Sequence, residues 1–175
     1  MVREGEFMSS GVESVESLSA TTHRPHPARS RLELYPVTGE TRARYADMDP
    51  NAHLNNLALE SLHEDARATL TARVFPGVHD PGARQLRLIT SQNVVHFLAE
   101  AHWPAVIETG VGVGRIGRTS FVASSALFRD GVCVSVCDTV LVAVGDEGPT
   151  PIVGFAREML RELQLRPSGR DEWTR

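Results

Sequence analysis

Cysteine is scarce in this chain: Cys133 and Cys137 are the only two among 175 residues. Both fall in one strand-like stretch, four residues apart, which is about 13 Å of rise. A disulfide needs Cα atoms within about 7 Å. The pair therefore reads as free thiols on one sheet face, and its spacing carries no zinc signature. Reduced thiols fit a cytoplasmic protein. A basic block is also missing, and the formal net charge is −4. That balance argues against nucleic acid and against an anionic membrane surface as partners. No apolar run approaches the ~20 residues of a membrane span. The first thirty residues lack the apolar core of a signal peptide. What is left is an ordinary globular composition, 41% hydrophobic, long enough for one domain with a sizeable core.

Residues 1–30 read as an arm separate from the domain. They are rich in Ser, Thr, Glu, Pro and His, with no sustained apolar period. Met1 to Phe7 resemble leftover expression sequence, with Met8 as a native start. His23 and His26 are metal-ligand types, but a solvated tail is the plainer reading. The domain is expected over 31–168, followed by a polar tail over 169–175.

Within the domain a first strand runs to about Ala46, mainly from Val37. From Asn55 the apolar positions Ala58, Leu62, Ala66 and Leu70 recur every four residues, with Leu59 and Val74 alongside. That spacing predicts an amphipathic helix of about five turns, ended by Pro76-Gly77. Glu64 and Arg67 read as a surface or interface ion pair. Four strands follow, over 86–98, 106–116, 120–128 and 132–144, with Asp130-Gly131 as a hairpin signal. A short amphipathic helix over 155–165 closes the domain. Without βαβ alternation, a parallel doubly wound sheet is disfavoured. The pattern is α+β, an antiparallel sheet covered by one long helix.

The chemistry concentrates in Arg44-Tyr45-Ala46-Asp47-Met48-Asp49-Pro50-Asn51-Ala52-His53-Leu54-Asn55-Asn56. Two carboxylates, three Asn side chains and one His sit at a strand-to-helix junction. Pro50 and Asn51 favour a turn, and Asn55 or Asn56 can cap the helix. Free amides at a helix N-terminus stabilise developing negative charge. The same residues also serve as ordinary turn and cap residues, and both readings stand on the local pattern alone.

The run Arg44 to Asn56, with Glu64, Ala66 and Arg67 on the helix, resembles the hot-dog thioesterases. Their pattern is an aromatic, Asp-x-Asp, Gly-His-Val-Asn-Asn, then a helix carrying Glu-x-Ala-Arg. Gly114 to Phe121 is similar to the family's Gly-Arg-x-Ser hairpin. The likeness covers about residues 37–165. It implies a single hot-dog domain, a five-stranded antiparallel sheet wrapped around one long central helix. It also implies a homodimer, with dimers of dimers common, and active sites lined by both chains. In 4-hydroxybenzoyl-CoA thioesterases of one type the second Asp is catalytic, which is Asp49 here. In plant acyl-ACP thioesterases the pattern Asp-x-Asn-x-His-x-Asn-Asn matches Asp49, Asn51, His53, Asn55 and Asn56. A downstream strand-end Glu of those enzymes corresponds to Glu100. Ala52 replaces the family's usual Gly, which implies a slightly different loop, and Leu59 replaces a Tyr.

The expected activity is hydrolysis of an acyl-CoA or acyl-ACP thioester. Asp49 would act as general base or nucleophile, with Asn51, His53 and Glu100 as further catalytic residues. Backbone amides around His53 to Asn56 would hold the oxyanion, and Asn55 and Asn56 would contact substrate. Arg115 and Arg118, with Thr119 and Ser120, would meet the phosphates of CoA or phosphopantetheine. No cofactor is expected beyond the CoA or phosphopantetheine of the substrate. A metal set of Asp47, Asp49 and His53 has suitable ligand types but no recognised spacing, and none is expected. Asp47 reads as structural. The competing readings are a silent hot-dog dimer that binds an acyl ligand, and a hot-dog hydratase or dehydratase. The latter enzymes carry Asp-x-Asn-Pro-x-His. Here Pro50 precedes Asn51, and Asp49 and His53 are one residue closer together.

Overall fold

The computed structural model describes residues 24–166, so most of the expected arm and the polar tail lie outside the described residues. One long helix, α1 (Asn56–Val74), follows the first strand, β1 (Val37–Arg42). Asn55 caps it by accepting the Ala58 amide at 2.8 Å. Leu59, Leu62, Ala66, Leu70 and Val74 form its buried stripe. Phe75-Pro76-Gly77 ends it, and Gly77 takes a φ of 80° that suits glycine.

The strands β2 (Arg87–Phe97), β3 (Val106–Ile116), β4 (Ser120–Arg129) and β5 (Val132–Gly145) complete a curled antiparallel sheet in the order β1-β3-β4-β5-β2. The two-residue β6 (Gly148–Pro149) adds to β5. The β4–β5 hairpin turns at Asp130 and Gly131, both at positive φ (50° and 77°), as a two-residue turn of this twist requires. Sequence order gives β3, β4 and β5 as neighbours but not the two edges. β2 pairs β5 at one edge, and β1 pairs β3 at the other.

The helix lies on the sheet's concave side. Leu70 and Val74 pack against Val111, Val113, Phe121 and Leu141. Leu59 and Leu62 pack against Ile107, Leu127 and Val134. Fully burying one such side chain is worth about 1.5–3 kcal/mol. The final helix, α2 (Gly154–Glu162), sends Leu160 into the same core. After it the chain runs beside β3, where Leu165 donates to the Val113 carbonyl.

The other sheet face is covered by the N-terminal segment, which corrects the expected domain start at residue 31. Pro27–Ser30 forms a single 3-10 turn, and the His26 Nδ1 accepts the Ala28 amide at its start. His26 is thus a cap and not a solvated tail residue. Arg29 is completely buried. A second turn, Leu32–Leu34, leads to Tyr35, which packs edge-on against Phe128. Gly110 makes room for it, since a Cβ there would lie 2.7 Å from the Tyr35 ring.

The cysteines also depart from expectation. Both are free and buried, but they occupy opposite faces. Leu127 pairs Ser135 while Phe128 pairs Cys133, so Val134 is an extra residue in β5. Such a bulge breaks the two-residue alternation. Cys133 joins Tyr35, Phe128 and Val136 under the N-terminal segment. Cys137 lies on the helix side and donates to Asn93 Oδ1 at 3.1 Å, beside Thr139.

Candidate active site

The stretch between β1 and α1 is a closed loop built from its own polar groups. Tyr45–Asp47 makes one 3-10 turn. The Asp47 carboxylate accepts the Arg44 amide at 2.7 Å and the Arg44 guanidinium at 2.8 Å. These bonds hold its pKa below the usual carboxylate value. Asp47 is a structural anchor. The loop then narrows through a bridge between Met48 and Leu54, and the Asp49 amide donates to the His53 carbonyl at 2.8 Å.

Inside this turn the Asp49 carboxylate points back at backbone. Its Oδ1 accepts the amides of Asn51 (2.8 Å) and His53 (3.1 Å). Among the described residues its Oδ2 accepts only from the Asn51 side-chain amide, at 3.4 Å. The His53 amide, then the Asn51 backbone and side-chain groups, hold the Asp49 pKa down, because hydrogen bonds to the charged form favour it. Asp49 is thus an ionised carboxylate with one oxygen held by two backbone amides and the other by one longer side-chain contact. Ala52 stands at φ 62°, in the left-handed region where glycine is unstrained. The residue change is taken up as backbone strain, and Ala52 keeps a conformation suited to glycine.

A second loop, between β2 and β3, supplies the opposing groups. The Leu54 amide donates to the Ala101 carbonyl at 2.7 Å and ties the loops together. Ala101 is buried, while Glu100 and His102 on either side are more exposed. The Glu100 Oε2 lies 3.3 Å from the His53 Nε2. His102 Nδ1 donates to the Ala52 carbonyl at 2.9 Å, and its ring meets that of His53 edge-on at 4.9 Å. His102 is the residue that sequence reasoning missed. Its signal was the Glu100-Ala101-His102 spacing, visible only once this loop is known to face His53.

The amides behave differently from expectation. His53, Leu54 and Asn55 direct theirs to Asp49 Oδ1, Ala101 O and Asp47 O. The Asn55 side chain is engaged at both ends, donating to Asp47 O and accepting from Ala58 N. Asn56 and Leu57, at the first two positions of α1, have no carbonyl within the helix to bond.

Glu64 and Arg67 form the expected ion pair at 3.1 Å, and Arg67 also donates to Thr139. The expected phosphate-binding residues are not brought to the Asp49 turn within one chain. Arg115, Arg118, Thr119 and Ser120 lie at the far end of β3. Extended strand from Ala105 to Arg115 spans about 30 Å. The hairpin carbonyls are used locally: Gly117 O accepts from Arg157 at 2.9 Å, and Arg118 O from the Ile152 amide at 2.9 Å. The Arg115 and Arg118 side chains are exposed.

Among the described residues no helix is long and apolar enough to cross a membrane. No curated protein matches the chain. Solved structures do. A thioesterase from Thermus thermophilus, complexed with coenzyme A and zinc, is 27% identical with a TM-score of 0.68. The match covers 77% of this chain and 98% of that one. A Pseudomonas aeruginosa protein is 25% identical, TM-score 0.68, covering 77% and 95%. A thioesterase-superfamily protein from a Jannaschia species is 27% identical, TM-score 0.64, covering 72% and 81%. The family model of the thioesterase-like superfamily matches residues 43–160. That span includes the Asp49 loop, α1, the Glu100 loop and the whole sheet beyond β1, so the chain belongs to the thioesterase-like superfamily.

Proposed function

We propose that this chain hydrolyses acyl-CoA thioesters, with Asp49 as the reacting carboxylate. The observation that carries this reading is the asymmetric seating of that carboxylate. Two backbone amides hold Oδ1, and Oδ2 has one longer contact, from the Asn51 side-chain amide at 3.4 Å. A carboxylate kept ionised by its neighbours is a weak base. Low basicity handicaps proton abstraction from water more than attack on an activated carbonyl. Oδ2 attacking the thioester carbon would expel the thiolate and leave a mixed anhydride. Water activated at Glu100 and His53 would then cleave that anhydride, releasing the acid and restoring Asp49. The amides of Asn56 and Leu57, at the positive end of α1, would hold the oxyanion. Asn51 orients the carboxylate.

The CoA portion of the reading draws on the Thermus thioesterase, whose structure holds coenzyme A. It also calls for a homodimer. β2 is a largely exposed edge strand of eleven residues, the kind of edge that natural proteins cover. A two-fold axis beside β2 would continue the sheet antiparallel and reverse the partner. The partner's β3–β4 hairpin would then stand at the same end as the Asp49 loop. Only β2 and β5 of the partner would intervene between this chain's β2 and that hairpin, three strand spacings or about 14 Å. Arg115, Arg118, Thr119 and Ser120 would thereby reach the phosphates of a CoA bound at the other chain's site.

The test is thiol release from a panel of acyl-CoAs, wild type beside Asp49→Asn, with folding checked by circular dichroism. Asp49→Asn is expected to lower kcat/KM by at least about 100-fold. Undiminished hydrolysis in the variant would shift the essential carboxylate to Glu100. Hydrolysis of acyl-ACP with none of acyl-CoA would replace the CoA part of the reading.

A further inference from the structure

We propose that His53, Glu100 and His102 form a binding site for one divalent cation of the zinc class. The inference goes beyond the hydrolytic reading, which needs no metal, and it uses a ligand set that the sequence pattern did not suggest. One ligand atom from each residue lies within 4.8 Å of the others. Two imidazoles and one carboxylate are a donor set for zinc and neighbouring transition cations, and not for magnesium or calcium, which prefer oxygen. Three protein ligands leave a fourth tetrahedral position for water.

Three further observations bear on it. The His53 Nε2 and Glu100 Oε2 stand 3.3 Å apart. Two ligands of a tetrahedral zinc, each about 2.0–2.2 Å from the metal, are separated by about the same distance. Second, the Nδ1 of His102 is 2.9 Å from the Ala52 carbonyl oxygen. A carbonyl only accepts, so Nδ1 carries a proton and Nε2 is the ring nitrogen left to face a metal. Metal-binding imidazoles are oriented by this kind of bond on the other ring nitrogen. Third, the two loops that carry the ligands are pinned by the 2.7 Å bond from the Leu54 amide to the Ala101 carbonyl. The Glu100 side chain is two-thirds exposed and free to rotate the remaining distance onto a cation. Binding would engage the same His53 nitrogen and Glu100 oxygen that already face each other.

The test uses the full chain stripped by a chelator and titrated with Zn²⁺ against a chromophoric competitor. Co²⁺ is added in parallel for its ligand-field spectrum. One equivalent per chain is expected, with affinity lowered at least about tenfold in Glu100→Gln and in His102→Gln and unchanged in His79→Gln, outside the cluster. In the wild type, zinc should shift the imidazole resonances of His53 and His102 but not that of His79, a readout independent of any variant. No stoichiometric binding by the wild type would overturn the proposal. Undiminished affinity in both Glu100→Gln and His102→Gln would do so too, as would zinc shifts confined to other histidines. None of these outcomes depends on hydrolysis, so failure of the metal site and failure of the thioesterase reading are distinguishable.

Discussion

The Arg29 guanidinium lies 2.9 Å from the Asp138 carboxylate across 109 residues of sequence, with both side chains buried. It also donates to the carbonyls of Ser125 and Cys137 at 3.2 Å and to the Tyr35 hydroxyl at 2.9 Å. This one side chain fastens the N-terminal segment to the outer face of the sheet. Removing one member of a buried pair strands the other's charge. Arg29→Met is therefore expected to destabilise the fold by about 3–5 kcal/mol, read from the urea midpoint. The double substitution Arg29→Met with Asp138→Leu should recover much of the loss. A midpoint unmoved by Arg29→Met would show that the segment does not hold the domain together.

His63 sits under α1 between two serines. Ser135 Oγ donates to the His96 carbonyl, so it accepts from His63 Nε2 at 2.9 Å, and Ser125 Oγ then donates to Nδ1 at 2.8 Å. The ring is satisfied as the neutral tautomer, and burial pushes its pKa down to about 3. Unfolded, it would titrate near its ordinary 6.5. Between these values the unfolded chain binds a proton that the folded chain refuses. Its contribution is complete above pH 6.5 and is lost as the pH falls toward 3, at about 1.4 kcal/mol per pH unit. Urea titrations across that window should show this slope, and His63→Gln should reduce it by one proton. An unchanged slope in the variant would assign the acid sensitivity to other groups.

Ala52 carries the strain of the Asp49 turn at φ 62°. Left-handed backbone costs a residue with a Cβ about 1–2 kcal/mol, partly offset by the extra freedom glycine gives the unfolded chain. Ala52→Gly should stabilise by about 0.5–1 kcal/mol, and Ala52→Val should destabilise. A thermal scan of the three proteins decides the order. A glycine variant less stable than the parent would mean that the turn gains nothing from relief at this residue.

The amides that hold Asp49 ionised set its behaviour in acid. Its folded pKa lies below the ordinary 3.8, so its stabilising effect is present above that value and lost as pH falls through the lower one. Carbon-13 titration of the side-chain carboxyl should place the midpoint below 3.8. Asn51→Ala, which removes one of the three donors, should move it upward. A wild-type midpoint above 3.8 would remove the physical basis for treating Asp49 as a permanently charged group.

Much of the frame was legible in the chain itself. The four-residue apolar spacing from Ala58 to Leu70 gave α1, the Asn55-Asn56 pair gave a cap that the structure assigns to Asn55, and Asp130-Gly131 gave a hairpin. Those signals are local, because a helix stripe or a two-residue turn is encoded by neighbours in the chain. The opposite faces of Cys133 and Cys137 were not legible. A bulge at Val134 depends on how β5 registers with β4, which the strand itself does not record. Arg29 was hidden in a segment whose composition resembles a tail, because the partner that buries it lies at the other end of the chain. Asp49, Asn51 and His53 could be placed in one turn from their spacing. Their opposition to Glu100, and the presence of His102 beside them, could not.

The sequence by itself determined the α+β class, the long helix, the succession of strands and the polar turn at the helix start. All of these follow from side-chain period, turn chemistry and capping within a few residues. The tertiary structure decided how the edge strands pair, which edge is left open, and that the loop between β2 and β3 meets the Asp49 turn. It also decided which amides remain for an oxyanion, since His53, Leu54 and Asn55 turned out to be engaged within the fold. Those outcomes depend on contacts between groups far apart in the chain, where the free energy of one arrangement is fixed by everything packed around it.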